Sequence, residues 1–323
     1  MFYPLKLKPV LKDIIWGGNT LSKEFGYGED NQKIAEAWTL TLREDGENII
    51  ENGIFAGKTL GEYVKHVGFK NVTGTDTDKF PLLIKLIDAC DKLSVQVHPD
   101  DKYAKENGLD SGKTEMWYVL SAKPGAKLVY GLNKSVDFTN DEFISASKDG
   151  TLDKYLNFAN VKKGDVFFIP AGLVHAIGEG ILIAEVQQNS NTTFRIYDYN
   201  RTDKSGNKRQ LHIESALKVI NKSLPEKDNE VVSETELPGI CVKKLCENEF
   251  FKVHTLSLKN SEKYSFGGGK MIHMTCLSGK ANIIFDGKTF PASKGDSYLF
   301  PAALSGFEVI SNPEAEFLIS STF

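Results

Sequence analysis

KKGDVFFIPAGLVH, residues 162–175, decides how the rest of the chain is read. Gly164-Asp165 makes a turn, DVFFIP makes a strand, Pro170-Ala171-Gly172 bends it, and His175 lands where the next strand starts. The stretch recurs as SKGDSYLFPAALSG at 293–306, with Lys-Gly-Asp, Pro-Ala and a leucine in register. A supersecondary unit used twice implies one β fold used twice. Gly172 becomes Ala303 and His175 becomes Gly306 in the second copy, so any chemistry belongs to the first.

Outward from this stretch the pattern is mostly β. IAEAWTLT, the run 80–98, KTEMWYVL, AKLVYGL, ILIAEVQQ and TTFRIYDY read as strands. Residues 137–158 switch to helical spacing, with Thr139 and Glu142 as a capping box and Gly150 as a break. HIESALKVIN, 212–221, reads as another helix, and a short one is expected within DDKYAKENGLDSG. The polar, proline-flanked stretch 221–239 reads as a linker, followed by an all-β unit. GGGK, 267–270, lacks the spacing of a phosphate loop and reads as a hairpin turn. The expected organisation is 1–230, with a helical insert at about 137–158, and 231–323.

With 323 residues and 41% hydrophobic content the chain can bury a sizeable core. A net charge of -4 argues against a nucleic-acid or basic membrane surface. Four scattered cysteines and the lack of a leader-like apolar core predict a cytoplasmic protein with reduced thiols.

Within LSVQVHPDD, 93–101, side chains alternate, so Ser94, Gln96 and His98 share one face and Leu93, Val95 and Val97 the other. Glu115 lies in GKTEMWYVL with Lys113 and Trp117 on its side of the strand. Two imidazoles, His98 and His175, with the Glu115 carboxylate and the Gln96 amide oxygen form a mixed N/O donor set. Such a set suits zinc with an open position, or iron, manganese or cobalt. The plainer alternatives are a buried histidine satisfied by a backbone carbonyl for His175 and a solvated outer face for the side chains that include His98.

The spacing Gly164, Pro170, Gly172, His175 resembles the second motif of the cupins, which are jelly-roll barrels holding a metal inside. In order, IWGG, AEAW, LSVQVHPDD, GKTEMWYVL, PAGLVHAIGEG and SNTTFRIYDYNR resemble the type I mannose-6-phosphate isomerases in their short bacterial form. That resemblance implies a mainly β fold of two cupin-like jelly-roll β-barrel units with a small helical insert, the second unit degenerate. It implies one zinc ion per chain on Gln96, His98, Glu115 and His175. It assigns catalysis to Arg195, Lys113 and Glu185, and the substrate phosphate to Arg201, Lys85 and Ser94. The implied reaction interconverts mannose 6-phosphate and fructose 6-phosphate through an enediolate, with Glu185, Lys113 or a water carrying the proton.

The chain departs from the longer relatives at Gly112 and Thr114, where they carry histidine and proline. It also has Asn191 where they have aspartate, which removes that base. Two other readings stay open from the residues alone: a cupin-type non-haem iron oxygenase, and a non-catalytic sugar-phosphate-binding protein. The expected partner is a small sugar phosphate, with no nucleic acid and no membrane, on a monomer or weak homodimer.

Overall fold

The computed structural model describes residues 2–202, 206–223 and 233–322. The protein is mainly β, and among the described residues its strands gather into a ten-stranded, a six-stranded and a five-stranded sheet, with one two-stranded ribbon. Among the described residues no helix is long and apolar enough to cross a membrane.

The six-stranded sheet runs Val166–Ile169, Glu115–Ala122, Ile181–Gln188, Leu82–Ala89, Glu36–Leu40, Val10–Lys12, all antiparallel. Its central strands, Leu82–Ala89 and Ile181–Gln188, are buried along their whole length. Burial on both faces is why PLLIKLIDAC and ILIAEVQQ read as apolar runs and not as clean alternation. The five-stranded sheet, Leu156–Asn160, Lys127–Leu132, His175–Ala176, Val95–Val97, Phe194–Tyr197, faces it. The outer face of this second sheet, with Val95, Val97, Val129 and Ala176, packs against helices Asn140–Asp149 and Ile213–Val219. Both helices lie where the sequence predicts them. The first has the expected capping box, Thr139 with Glu142, and ends on Gly150 in the left-handed region.

The two copies of the repeat are the same local device. Gly164 and Gly295 have φ of 90° and 93°. The Asp165 carboxylate accepts the Lys162 N–H at 3.0 Å and the Asp296 carboxylate the Ser293 N–H at 2.9 Å. Each turn docks identically on a neighbouring strand, Gly164 N to Val119 O and Gly295 N to Cys276 O, both at 2.9 Å. The strands that follow are Val166–Ile169 and Ser297–Phe300.

Some expectations are corrected. The end of the predicted linker is a strand, Ser233–Leu237, paired with Ile240–Glu247. The boundary at 230/231 lies outside the described residues. GGGK does not close a hairpin: Lys263–Gly267 and Ile272–Phe285 each pair with Gly306–Ser321 and not with each other. Three short helices, Thr20–Phe25, Leu60–Val67 and Phe69–Thr73, were not anticipated. The first strand, Leu5–Lys8, pairs with residues 297–299 of the ten-stranded sheet, which also holds the last described strand, Gly306–Ser321.

Candidate metal centre and active site

His98, Glu115 and His175 converge between the six- and five-stranded sheets, fully buried, with their ligand atoms all within 4.8 Å of one another. Strand register explains the meeting. His175 lies opposite Gln96 on the strand Val95–Val97, and His98 follows directly after that strand. Glu115 opens the facing strand opposite Ile169.

The imidazole tautomers are fixed from behind. His98 Nδ1 lies 2.9 Å from the Thr192 carbonyl and His175 Nδ1 2.8 Å from the Leu173 carbonyl. A carbonyl only accepts, so both Nδ1 atoms carry hydrogens. Burial lowers the pKa of both rings, that of His98 to about 3, with Lys113 adding to the effect, so both are neutral. Their Nε2 lone pairs then face each other at 3.1 Å, and His98 Nε2 stands 3.0 Å from Glu115 Oε1. Two lone pairs and an anionic oxygen converge with no proton to share among them. A cation satisfies all three, so these residues fit a divalent metal. Gln96 also reaches in: its Nε2 is 3.3 Å from His175 Nε2 and its Oε1 3.5 Å from Ser94 Oγ. Rotating the amide by half a turn presents the oxygen instead.

Lys113 Nζ sits 2.6 Å from Glu115 Oε1. Burial pushes the Glu115 carboxyl up, but Lys113 and His98 outweigh it and hold the group well below the usual carboxylate range. Across the same sheet, Glu185 lies opposite Lys85 on one neighbour and Trp117 on the other. Lys85 Nζ stands 3.2 Å from Glu185 and 3.6 Å from Glu36, enclosed and buried. Burial opposes its charge, but Glu36 and Glu185 outweigh burial and keep its pKa above the ordinary lysine value. Glu185 itself is raised, by burial and by the charge of Glu115, against the opposing pull of Lys85.

Arg195 lies directly opposite Gln96, so its side chain leaves on the same face. One guanidinium nitrogen donates to the Gln210 carbonyl at 2.8 Å, while its buried Nε has no partner among the described residues. Arg201 is held by Asp198 at 2.6 Å and Asp91 at 3.2 Å and covers the Tyr199 ring. Arg209, which no sequence motif singled out, grips the same Asp198 carboxylate through Nε at 2.7 Å. Burial, then Arg209 and Arg201, lower the Arg195 pKa, so the three guanidiniums form one cationic cluster beside Gln96. The turn joining Asp198 to Arg201 places Tyr199 and Asn200 in the left-handed region at φ 56° and 55°. Backbone strain of that kind, at a bulky residue, concentrates at functional sites. His212, which carried no motif either, accepts the Arg195 backbone N–H at 3.3 Å. His273 is a buried core residue of the ten-stranded sheet, far in sequence from any ligand.

Two family descriptions match the chain: "Phosphomannose isomerase type I, catalytic domain" over residues 4–123, and "Mannose-6-phosphate isomerase, cupin domain" over 242–320. The chain is 37% identical over 310 residues to mannose-6-phosphate isomerase ManA of Bacillus subtilis, covering 95% of each. It is 36% identical over 310 residues to the mannose-6-phosphate isomerase of Streptococcus mutans, again covering 95% of each. The crystal structure of a mannose 6-phosphate isomerase from Bacillus subtilis superposes with a TM-score of 0.87 at 32% identity, covering 98% of this chain and 99% of that one. A putative mannosephosphate isomerase from Archaeoglobus fulgidus shares the fold, with a TM-score of 0.76 at 22% identity over 100% of this chain and 99% of that one.

Proposed function

This chain belongs to the type I phosphomannose isomerase family, and on that footing we propose that it interconverts mannose 6-phosphate and fructose 6-phosphate with one zinc ion. The observation that carries the metal is the pair of Nε2 lone pairs facing each other and Glu115 Oε1 at the bottom of a buried site. His98, Glu115 and His175 would hold the ion, with the Gln96 amide oxygen as the fourth protein donor. Bound there, it would supply Lewis-acid stabilisation to oxygen charge beside the reacting carbons.

The remaining work falls to the chain. Moving the C2 proton of the open-chain aldose to C1, and the O2 hydroxyl proton to O1, turns it into the ketose, with an enediolate between them and no net redox change. Glu185, whose pKa is raised by burial, takes the proton from C2 and returns it to C1. Arg195, with a buried and unpartnered Nε, donates to the oxygen that gains charge. Lys113 fixes Glu115 and adds positive charge at the same place. The phosphate is received by Arg201 and Arg209 with Ser94, which directly precedes the strand bearing Gln96, and a guanidinium can present two parallel N–H donors to it. Lys85 is committed to Glu36 and Glu185, and on this reading it steadies Glu185. A sugar-phosphate substrate and free cysteines fit a cytoplasmic setting.

The test is a coupled assay for fructose 6-phosphate formed from mannose 6-phosphate, before and after chelation and with zinc restored. Loss on chelation and recovery with zinc support the reading. Turnover that ignores the chelator removes the metal from it, and no turnover in zinc-loaded folded protein removes the isomerase.

A further inference from the structure

The sequence uses one short pattern twice on the site-facing side of the six-stranded sheet: Glu36-Ala37-Trp38 and Glu115-Met116-Trp117. In both, the indole N–H reaches back to the carboxylate two residues earlier, at 2.5 Å for Trp38 and Glu36 and 2.9 Å for Trp117 and Glu115. The copies differ in one respect. Trp117 Nε1 also lies 2.9 Å from Glu185 Oε2, so a single N–H is shared between two buried carboxylates. Register dictates this, because Trp38, Lys85, Glu185 and Trp117 lie directly opposite one another across four adjacent strands.

We infer that Trp117 is a positioning residue of the metal centre, whose shared indole N–H fixes both which Glu115 oxygen faces the metal and where Glu185 stands. The inference rests on the metal reading above. Glu115 Oε2 is occupied by the indole, which leaves Oε1, the atom beside His98 Nε2 and Lys113 Nζ, to face the metal. The same N–H holds Glu185 Oε2 while Lys85 holds Oε1 from the other side. Without the donor, two carboxylates would confront each other in a site where Trp117 is 1% exposed. The ring itself packs edge-on against His175, with centroids 5.4 Å apart, so one side chain touches two of the three ligands or their supports. The Trp38 N–H goes to Glu36 alone and reaches none of the three ligands, although its ring lies 5.5 Å from the Lys85 ammonium, so it serves as an internal control for the shared donor.

The decisive measurement uses the intact protein. The chain has three tryptophans, so an ¹⁵N-indole spectrum carries three signals, assigned with Trp16→Phe and Trp38→Phe. Titrating zinc into the metal-free protein should move the Trp117 N–H signal and leave that of Trp38 in place. Trp117→Phe should lower zinc affinity about 10–100-fold, the usual loss when a group supporting a metal ligand is removed. It should also change the visible spectrum of the cobalt-loaded protein, whereas Trp38→Phe should change neither. Zinc binding with an unmoved Trp117 signal would overturn the inference alone. A folded protein that binds no zinc would overturn the metal reading with it.

Discussion

Arg195 and Arg209 belong to one cationic cluster but face different demands. Arg195 has a buried Nε with no partner among the described residues and lies opposite a proposed ligand, Gln96. On the proposed mechanism, a donor kept bare at that position is aimed at charge that develops only during reaction. Arg195→Ala should therefore cut turnover by about 10²–10³-fold, the cost of losing one such donor, while zinc content by elemental analysis stays at one per chain. Loss of zinc instead would mean that Arg195 supports the metal. Arg209 is already engaged with Asp198, and the proposed mechanism gives it the phosphate and not the reacting carbons. Arg209→Ala should act on binding, raising KM for the sugar phosphate about 10–100-fold, as expected for a lost charge-assisted hydrogen bond, with a smaller change in kcat. Steady-state kinetics on the purified variant separate the two outcomes, and an unchanged KM would take Arg209 out of the phosphate site.

The strand that delivers His175 is two residues long and depends on the turn before it. Gly172 makes that turn at φ 88°, donates its N–H to the His98 carbonyl at 2.9 Å, and lies where a Cβ would come within 3.0 Å of the Val219 carbonyl. Gly172→Ala should cost about 1–2 kcal/mol from the left-handed backbone alone and should loosen the histidine it delivers. Lowered melting temperature together with weaker zinc binding is the expected result, and weaker melting with unchanged zinc affinity would separate the turn from the site. The sequence reading reached this element because the glycine, the proline and the histidine stand within six residues of one another. Alternation along LSVQVH likewise revealed which side chains share a face. What stayed illegible depends on partners distant in sequence. The second hydrogen bond of Trp117 goes to Glu185, 68 positions away. Arg209 meets Asp198 because Thr202 and Lys208 pair in an antiparallel bridge, and no periodicity records that. The short helices near the N-terminus and the strand at Ser233–Leu237 escaped notice because their sequences are polar or brief, so packing and not pattern defines them.

At the scale of the molecule, the ten-stranded sheet is tied to the active-site sheet through a buried histidine. His273, 1% exposed, lies 3.1 Å through Nε2 from the Thr39 carbonyl, and Thr39 belongs to the strand that bears Glu36 and Trp38. A carbonyl requires an N–H, and neutral His273 supplies it with Nε2 protonated. Burial depresses its pKa to about 3, only partly offset by this hydrogen bond. The ordinary value of about 6.5 applies to the unfolded chain, so between those two values the unfolded state binds the extra proton and the folded state does not. Stability must therefore fall as pH drops through this window, by about 2 kcal/mol at pH 5 from this residue alone. A glutamine at 273 can donate the same hydrogen bond without titrating. Melting temperatures measured from pH 8 to pH 4.5 should fall more steeply for the wild type than for His273→Gln, with the two curves converging toward pH 8. Parallel curves would show that the acid sensitivity of the molecule lies elsewhere. The measurement also bears on why the second β unit is retained although it lacks the ligand histidine. If acid weakens the His273 contact first, zinc should be released over the same pH interval in the wild type and at lower pH in His273→Gln, because the strand at Thr39 is one neighbour away from the strand of Lys85.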